Sequence, residues 1–328
     1  MKQWQAFEPR QAEALSDGNF ICEAAATGLI LVNGDDARDF LQNQLSNDIT
    51  QIDETHFQIS SYSTPKGRML GVFRVVQISN GYLLVTNRSI VQPLLEKLYH
   101  YIVRSQVTLA DATDYFARIL IQTDDPKVIE HPLLPEQVSS SIQNDSVVSL
   151  KLESVAGQCR YLLLCLSADE AITLWDDFAE KLSISGDKSW QLSEIKAGIP
   201  SIAPGTSEEF VLQMANLNEL NGVSFKKGCY PGQEIVARMQ YLGKLKRRMF
   251  LAELETDQLP LPGDDLVSSG KQIADGSGKF VDAQFDENGL CHCLYIAQIN
   301  KAEAGNLEWL GHPEITINNS NLPYPLKK

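Results

Sequence analysis

The chain has 328 residues, 43% of them apolar, and a formal charge of −14. This length exceeds the roughly 100–200 residues of a typical domain and predicts two or three packed units. The acidic balance argues against non-specific nucleic-acid binding by the surface as a whole, and no run of about 18 apolar residues is present to span a membrane. The N-terminus also lacks the apolar core of a signal peptide, so we expect a cytoplasmic protein with no membrane partner.

The N-terminal part alternates β-type runs with helical patterns. Residues 27–34, "TGLILVNG", predict a strand, and Asp35 or Asp36 then caps a helix over 37–48. The runs "MLGVFRVVQI" and "GYLLVT" flank "SNG", which predicts a hairpin. A helix from Ser89 and a strand "FARILIQ" complete the order strand, strand, helix, strand.

The same order of elements recurs further along the chain. "VVSLKLE" and "RYLLLCLS" predict a second hairpin with a turn at Gly157. Ser167 and Glu170 fit the capping box of the helix that follows. Two units of this order predict an α+β fold class with two ferredoxin-like halves.

From Met249 the chain changes to short β-runs separated by Gly, Pro, Asn and Asp. Because no helix-length periodic pattern interrupts these runs, they predict a small antiparallel β-barrel. We therefore expect two domains, an α+β body over residues 1–245 and a β-barrel over residues 246–328.

Six cysteines are too few for a disulfide-stapled secreted domain, so we expect reduced thiols. Cys291 and Cys293 flank His292 on a predicted strand, which points both thiols to one face. Two sulfurs without a second pair make an incomplete zinc site, so structural burial is favoured and no metal site is predicted.

Cys229 lies in the segment "KKGCYPGQE", residues 226–234. Pro231 suits the first position of a helix, whose Ile235, Val236 and Met239 would face inward. Cys229 then lies just before the helix N-terminus, where unpaired amides and two lysines favour a reactive thiolate. The alternative is that the thiol only packs as a small hydrophobic group.

Residues 226–248 hold seven cations and a single anion, Glu234. A basic segment on an acidic protein is a candidate binding place for an anionic ligand. The alternative is a solvated strand edge that lysines keep soluble.

The segment "KKGCYPGQEIVAR" resembles the signature K-G-C-Y-x-G-Q-E of the YgfZ family, folate-binding proteins related to the aminomethyltransferase of the glycine cleavage system. The likeness extends to "FLQNQLSNDI", "TPKGRML" and "AGIP" and so covers nearly the whole chain. It implies two α+β halves around a central folate channel, followed by a C-terminal β-barrel. It also implies a role in maintaining iron–sulfur enzymes, including those that thiolate tRNA.

The resemblance implies that tetrahydrofolate or a one-carbon derivative is the cofactor. It assigns the candidate chemistry to Cys229 and Lys227, and it expects Tyr230, Gln233 and Arg238 to line the folate site. Two further residues fall on family positions where a tryptophan contacts the pterin: Trp190 is retained as a stacking platform, and Thr27 replaces the second tryptophan.

Other departures weaken the case for an enzyme of the aminomethyltransferase type. Gly71 and Val72 stand where those enzymes have an aspartate pair, and Lys196 stands where a pterin-recognising acid precedes "AG". The leading interpretation is therefore a folate-binding accessory protein that acts on iron–sulfur enzymes and thereby supports tRNA methylthiolation. The alternatives are a folate-dependent one-carbon transferase and an RNA- or protein-docking module without catalysis.

Overall fold

A computed structural model describes residues 1–10, 12–16 and 18–326. The fold is mixed α+β, as the sequence predicts. Within the described ranges the α-helices are α1 Lys2–Gln5, α2 Ala37–Gln44, α3 Val91–Tyr99, α4 Ala168–Ala179, α5 Asp187–Lys196, α6 Gln233–Tyr241 and α7 Ile299–Glu303.

The strands of the described ranges form three sheets. In chain order they are β1 Phe20–Glu23, β2 Thr27–Asn33, β3 Gln58–Ser63, β4 Met69–Ile78, β5 Gly81–Asn87, β6 Thr108–Asp111, β7 Ala117–Thr123, β8 Ser141–Gln143, β9 Val147–Val155, β10 Gln158–Cys165, β11 Ser183–Ser185, β12 Arg247–Leu254, β13 Asp265–Ser268, β14 Gly278–Phe285, β15 Cys291–Gln298, β16 Leu307–Trp309 and β17 Ile317–Ser320.

The first sheet has the order β11-β1-β7-β10-β9-β8. Its pairs are antiparallel except for β1 with β11, which is parallel. Every residue of β7 is buried. Ile119 and Ile121 belong to one apolar cluster and Leu120 to another, because successive side chains of a strand point to opposite faces. Both faces of this sheet are therefore covered.

The second sheet has the order β3-β4-β5-β2-β6. The predicted hairpin of β4 and β5 is confirmed, and it turns at Gly81 with a φ of 140°.

The second predicted hairpin, β9 with β10 in the first sheet, is confirmed as well, and its turn places Ala156 and Gly157 at positive φ. Ser167 caps α4 as predicted, since its side chain accepts a hydrogen bond from the Glu170 amide.

The third sheet contains the C-terminal strands in the order β16-β13-β14-β15-β12-β17. Its paired strands are antiparallel. Cys291 and Cys293 both lie in its apolar cluster, which confirms the predicted burial, while His292 contacts Asp286 instead. The expectation of uninterrupted β-structure is wrong at one point, because the short helix α7 follows β15.

The described chain divides into two compact units. The first unit comprises residues 1–40, 49–58 and 73–193, and the second comprises residues 41–48, 59–72 and 194–328. The predicted boundary between residues 245 and 246 stays a prediction. None of the helices in the described ranges combines the length and the hydropathy that crossing a bilayer requires.

Three helices differ from their predicted bounds. Helix α2 ends at Gln44 rather than at residue 48, although Leu45 is still buried. Helix α3 begins at Val91, after a 3-10 turn over Arg88–Ile90. Helix α6 begins at Gln233, so the prediction that Pro231 is its first residue is wrong. The left-handed backbone of Gly232 causes this later start.

Candidate functional site

Cys229 is exposed and lies in the irregular loop that precedes α6. Gly228 beside it is exposed too and would find no atom within 4 Å of an added Cβ, whereas the residues on either side of this pair, Lys227 and Tyr230, are buried at 8% and 7% exposure. The loop therefore presents the thiol to solvent and anchors itself through the residues on either side. Helix α6 starts four residues after Cys229, so the sulfur is further from the helix N-terminus than the sequence predicts.

Lys227 turns inward and holds the loop in place. Its Nζ donates hydrogen bonds to the carbonyl oxygens of Leu45 at 2.7 Å and Asn47 at 2.8 Å. The same atom lies 5.4 Å from the centroid of the Tyr230 ring, a cation–π contact. Burial lowers the pKa of Lys227 from its ordinary value of 10.5 to about 8, and the Asp48 carboxylate opposes this shift. Lys227 therefore still carries its charge at pH 7.

The turn that receives Lys227 is itself held by buried hydrogen bonds. Ser46 Oγ donates to the carbonyl oxygen of Gly222 at 2.7 Å and accepts from the Ser61 amide at 2.8 Å. Asn47 Nδ2 donates to the carbonyl oxygens of Ile59 at 2.8 Å and Asn221 at 2.7 Å. Because these bonds fix the two carbonyl acceptors, the position of the Lys227 ammonium and of its loop is fixed as well.

Two glycines bring the loop against the segment "TPKGR", residues 64–68. Gly232 has a φ of 84°, and a Cβ there would lie 2.5 Å from Gly67 Cα and 2.8 Å from the carbonyl oxygen of Thr64. Gly67 has a φ of 73° and would meet Ile235 Cβ at 3.1 Å. Only glycine supplies both the left-handed backbone and the missing side chain. The left-handed turn at Gly232 also makes it the N-cap of α6 and leaves Pro231 outside the helix.

The predicted folate contacts of this segment divide by burial. Tyr230 is buried, and burial raises its pKa to about 12. Gln233 Nε2 donates to the Lys227 carbonyl at 3.4 Å, so this side chain supports the loop. Arg238 is exposed on α6. The prediction of three inward residues on this helix holds for Val236, while Ile235 is 38% exposed and Met239 is half-buried.

Trp190 lies on α5 in the apolar cluster of the first unit and is 6% exposed. Its ring has two guanidinium neighbours, with Cζ of Arg74 at 5.8 Å and Cζ of Arg160 at 5.6 Å from the ring centroid. The indole thus has little open surface in this conformation.

The two arginines belong to a buried polar network. Arg74 Nη2 lies 3.4 Å from Glu153 Oε2, and Arg160 Nε donates to Ser193 Oγ at 2.6 Å. Ser193 Oγ in turn donates to Gln122 Oε1 at 2.6 Å. The sequence analysis did not predict this network. Each arginine is the single charge inside an apolar run, "VFRVV" or "CRYLL", and this pattern could have indicated it. A charge in a buried strand requires hydrogen-bond or ionic partners nearby.

Thr27 is 3% exposed and begins β2, where it pairs with Asn87 of β5. Its amide donates to the carbonyl oxygen of Ala24 at 3.0 Å. Thr27 and Trp190 belong to the first unit, and Lys227, Cys229, Tyr230, Gln233 and Arg238 belong to the second.

A structural comparison defines the class of fold. The aminomethyltransferase T of the glycine cleavage system from Bartonella henselae matches with a TM-score of 0.69 over 98% of this chain and 88% of that one, at 11% identity. This likeness establishes the fold alone. No family model matches the chain.

Sequence comparison identifies the family. The chain is 31% identical to the tRNA-modifying protein YgfZ of Colwellia psychrerythraea over 318 residues, which is 94% of both proteins. It is 29% identical to the tRNA-modifying protein YgfZ of Escherichia coli O127:H6 over 305 residues. The chain therefore belongs to the YgfZ family, which confirms the resemblance seen in the "KGCYPGQE" segment.

Proposed function

We propose that this protein supports tRNA modification as a folate-binding accessory protein of iron–sulfur enzymes in the cytoplasm. The observation that carries the proposal is the exposed thiol of Cys229, in the signature segment of a chain that belongs to the YgfZ family. An exposed thiol is chemically accessible for contact with an iron–sulfur protein, a sulfur donor or a one-carbon group. The buried cysteines of β15 lack that access.

The cofactor in this proposal is tetrahydrofolate or a one-carbon derivative. The donors near Trp190 fit such a ligand, because guanidinium groups pair with carboxylates and with the carbonyl of a pterin. We propose that the ligand displaces one guanidinium from the indole ring and stacks in its place. In this proposal, residues 1–245 form a body of two ferredoxin-like halves that holds the folate in a channel. Residues 246–328 form a β-barrel.

Lys227 has a positioning role in this proposal. Its ammonium is engaged by two carbonyl oxygens and the Tyr230 ring, so it orders the loop that presents Cys229. Aminomethyl transfer of the glycine-cleavage type is disfavoured. Gly71 and Val72 are buried in β4 and supply no carboxylate to stabilise charge at a folate nitrogen.

The experiment is genetic complementation in a bacterial strain that lacks its own YgfZ. Mass spectrometry of digested tRNA measures the methylthiolated nucleosides when the strain carries wild type, Cys229→Ala or Cys159→Ala. Cys159 is a matched control, because it is a partly exposed thiol in the first unit. We expect wild type and Cys159→Ala to restore methylthiolation and Cys229→Ala to fail while folding normally by circular dichroism.

Two results would contradict the proposal. Restoration by Cys229→Ala would reject the role of the thiol. Failure of the wild-type protein to restore methylthiolation, although it is expressed and folded, would reject the role in tRNA modification.

A further inference from the structure

A groove with a volume of about 790 Å³ opens in the second unit, and we call it the basic groove. One wall is the connection between α6 and β12, with Lys244 and Lys246, together with Arg247 at the start of β12. The other wall is the junction of β15 and α7, with Ile299 and Glu303. The groove involves neither Cys229 nor the Trp190 network.

The charge of this groove is opposite to that of the protein. Three cations line it against one anion, Glu303, whereas the whole chain carries −14. Lys244 and Lys246 are exposed. The neighbouring Arg248 is engaged elsewhere, because its guanidinium lies 4.0 Å from the buried Glu219 carboxylate. Such a concentration of positive charge on an acidic surface selects a polyanionic partner.

Apolar and aromatic groups accompany these cations. Met214, Leu245 and Ile299 line the groove. Just before it in the chain, Tyr241 is 68% exposed and Leu242 is 84% exposed. The ring of Phe225 packs edge-on against Tyr241, with 6.1 Å between the ring centroids. This contact supports the tyrosine ring from one side.

We propose that the basic groove and the Tyr241 ring bind a single-stranded segment of RNA. The exposed Lys244 and Lys246 pair with successive phosphates, and an exposed aromatic ring offers a stacking surface to an unpaired base. An acidic protein segment would use the cations but has no need of the ring, and a duplex keeps its bases stacked inside. The cellular meaning of this site rests on the proposed role in tRNA modification, but the binding itself does not.

Fluorescence anisotropy with a fluorescein-labelled, unstructured twelve-nucleotide RNA tests the proposal on the full chain. Each lost phosphate contact removes about 0.7 from the slope of log K against log salt, so the slope of the double variant Lys244→Gln/Lys246→Gln should be smaller by about 1.4. Over the decade from 1 M to 0.1 M salt, this smaller slope corresponds to binding that is about 25-fold weaker than that of wild type at 0.1 M. Lys188→Gln/Lys271→Gln removes the same charge at exposed positions outside the groove and should leave affinity nearly unchanged.

Tyr241→Ala separates stacking from charge. It should weaken RNA binding roughly fivefold or more while the salt slope stays that of wild type. Binding of the RNA in its duplex form should be weaker than binding of the single strand. The proposal is overturned if the control pair weakens binding as much as the groove pair, or if Tyr241→Ala has no effect. It is also overturned if a poly-glutamate peptide binds as tightly as the RNA.

The failure of this inference and that of the proposed function are distinguishable. A groove that does not bind RNA leaves the complementation result with Cys229→Ala unaffected. Loss of the cellular phenotype does not alter the anisotropy titration, which uses the purified protein.

Discussion

Gly232→Ala should destabilise the loop that presents Cys229 more than any other glycine substitution in that loop. The backbone there has a φ of 84°, which costs a residue with a Cβ about 1–2 kcal/mol. The added Cβ would also lie 2.5 Å from Gly67 Cα and 2.8 Å from Gly67 N. Because backbone atoms cannot rotate away, the two segments must separate, at a cost of about 1–3 kcal/mol. The total loss is about 2–5 kcal/mol.

The same structure supplies graded controls. Gly67→Ala is strained by its φ of 73°, but its Cβ would meet the Ile235 side chain at 3.1 Å rather than backbone, so its cost should be smaller. Gly228→Ala finds no atom within 4 Å and should change stability by about 1 kcal/mol or less. The expected order of destabilisation is therefore Gly232, Gly67, Gly228.

Urea unfolding and hydrogen–deuterium exchange of the peptide covering α6 measure the effect. Gly232→Ala should lower the unfolding midpoint and speed exchange in residues 233–241, since the helix loses its left-handed N-cap. It should also change the rate at which Cys229 reacts with iodoacetamide. Equal stability and equal protection of Gly232→Ala and Gly228→Ala would refute the reasoning.

Three further predictions concern Lys227, the thiols and Trp190. At Lys227 the unfolded chain holds more protons than the folded one between the folded pKa of about 8 and the ordinary value of 10.5, so the contribution of this group to stability should rise with pH in that window. The rise should be about 3 kcal/mol relative to Lys227→Met, and parallel pH profiles of the two proteins in urea unfolding would reject it. Native protein should incorporate iodoacetamide at Cys229 before Cys159, and peptide mapping that finds Cys229 unlabelled would refute its exposure. Trp190→Phe should weaken tetrahydrofolate binding about 2- to 10-fold in calorimetry, since a phenyl ring offers a smaller stacking surface, and an unchanged Kd would exclude Trp190 from the site.

The amino-acid sequence determined the elements that local interactions control. The strands of both predicted hairpins follow from β-type runs joined by turns that contain Gly, and the start of α4 follows from the Ser167 cap. The family was also readable, since "KGCYPGQE" is a contiguous motif. Periodicity and caps act over a few residues and need no knowledge of distant partners.

Tertiary contacts decided where α6 begins and which lysine is buried. Pro231 is a good first helical residue by local criteria, yet the helix starts after Gly232 because the backbone there turns left-handed against Gly67. Lys226 and Lys227 are adjacent and chemically identical, and only the carbonyl acceptors of Leu45 and Asn47 select Lys227 for burial. Those acceptors lie about 180 residues earlier in the chain, beyond the reach of any local pattern.

The surroundings of Trp190 depend entirely on such distant contacts. The sequence marked the indole as a platform for a ligand, but the fold brings Arg74 and Arg160 to its ring from two different strands. Each arginine is buried, and a buried guanidinium must find acceptors or an aromatic face in the packed interior. Which partners satisfy it is decided by how the strands and α5 pack, because nothing in the residues next to Trp190 encodes the positions of residues 74 and 160.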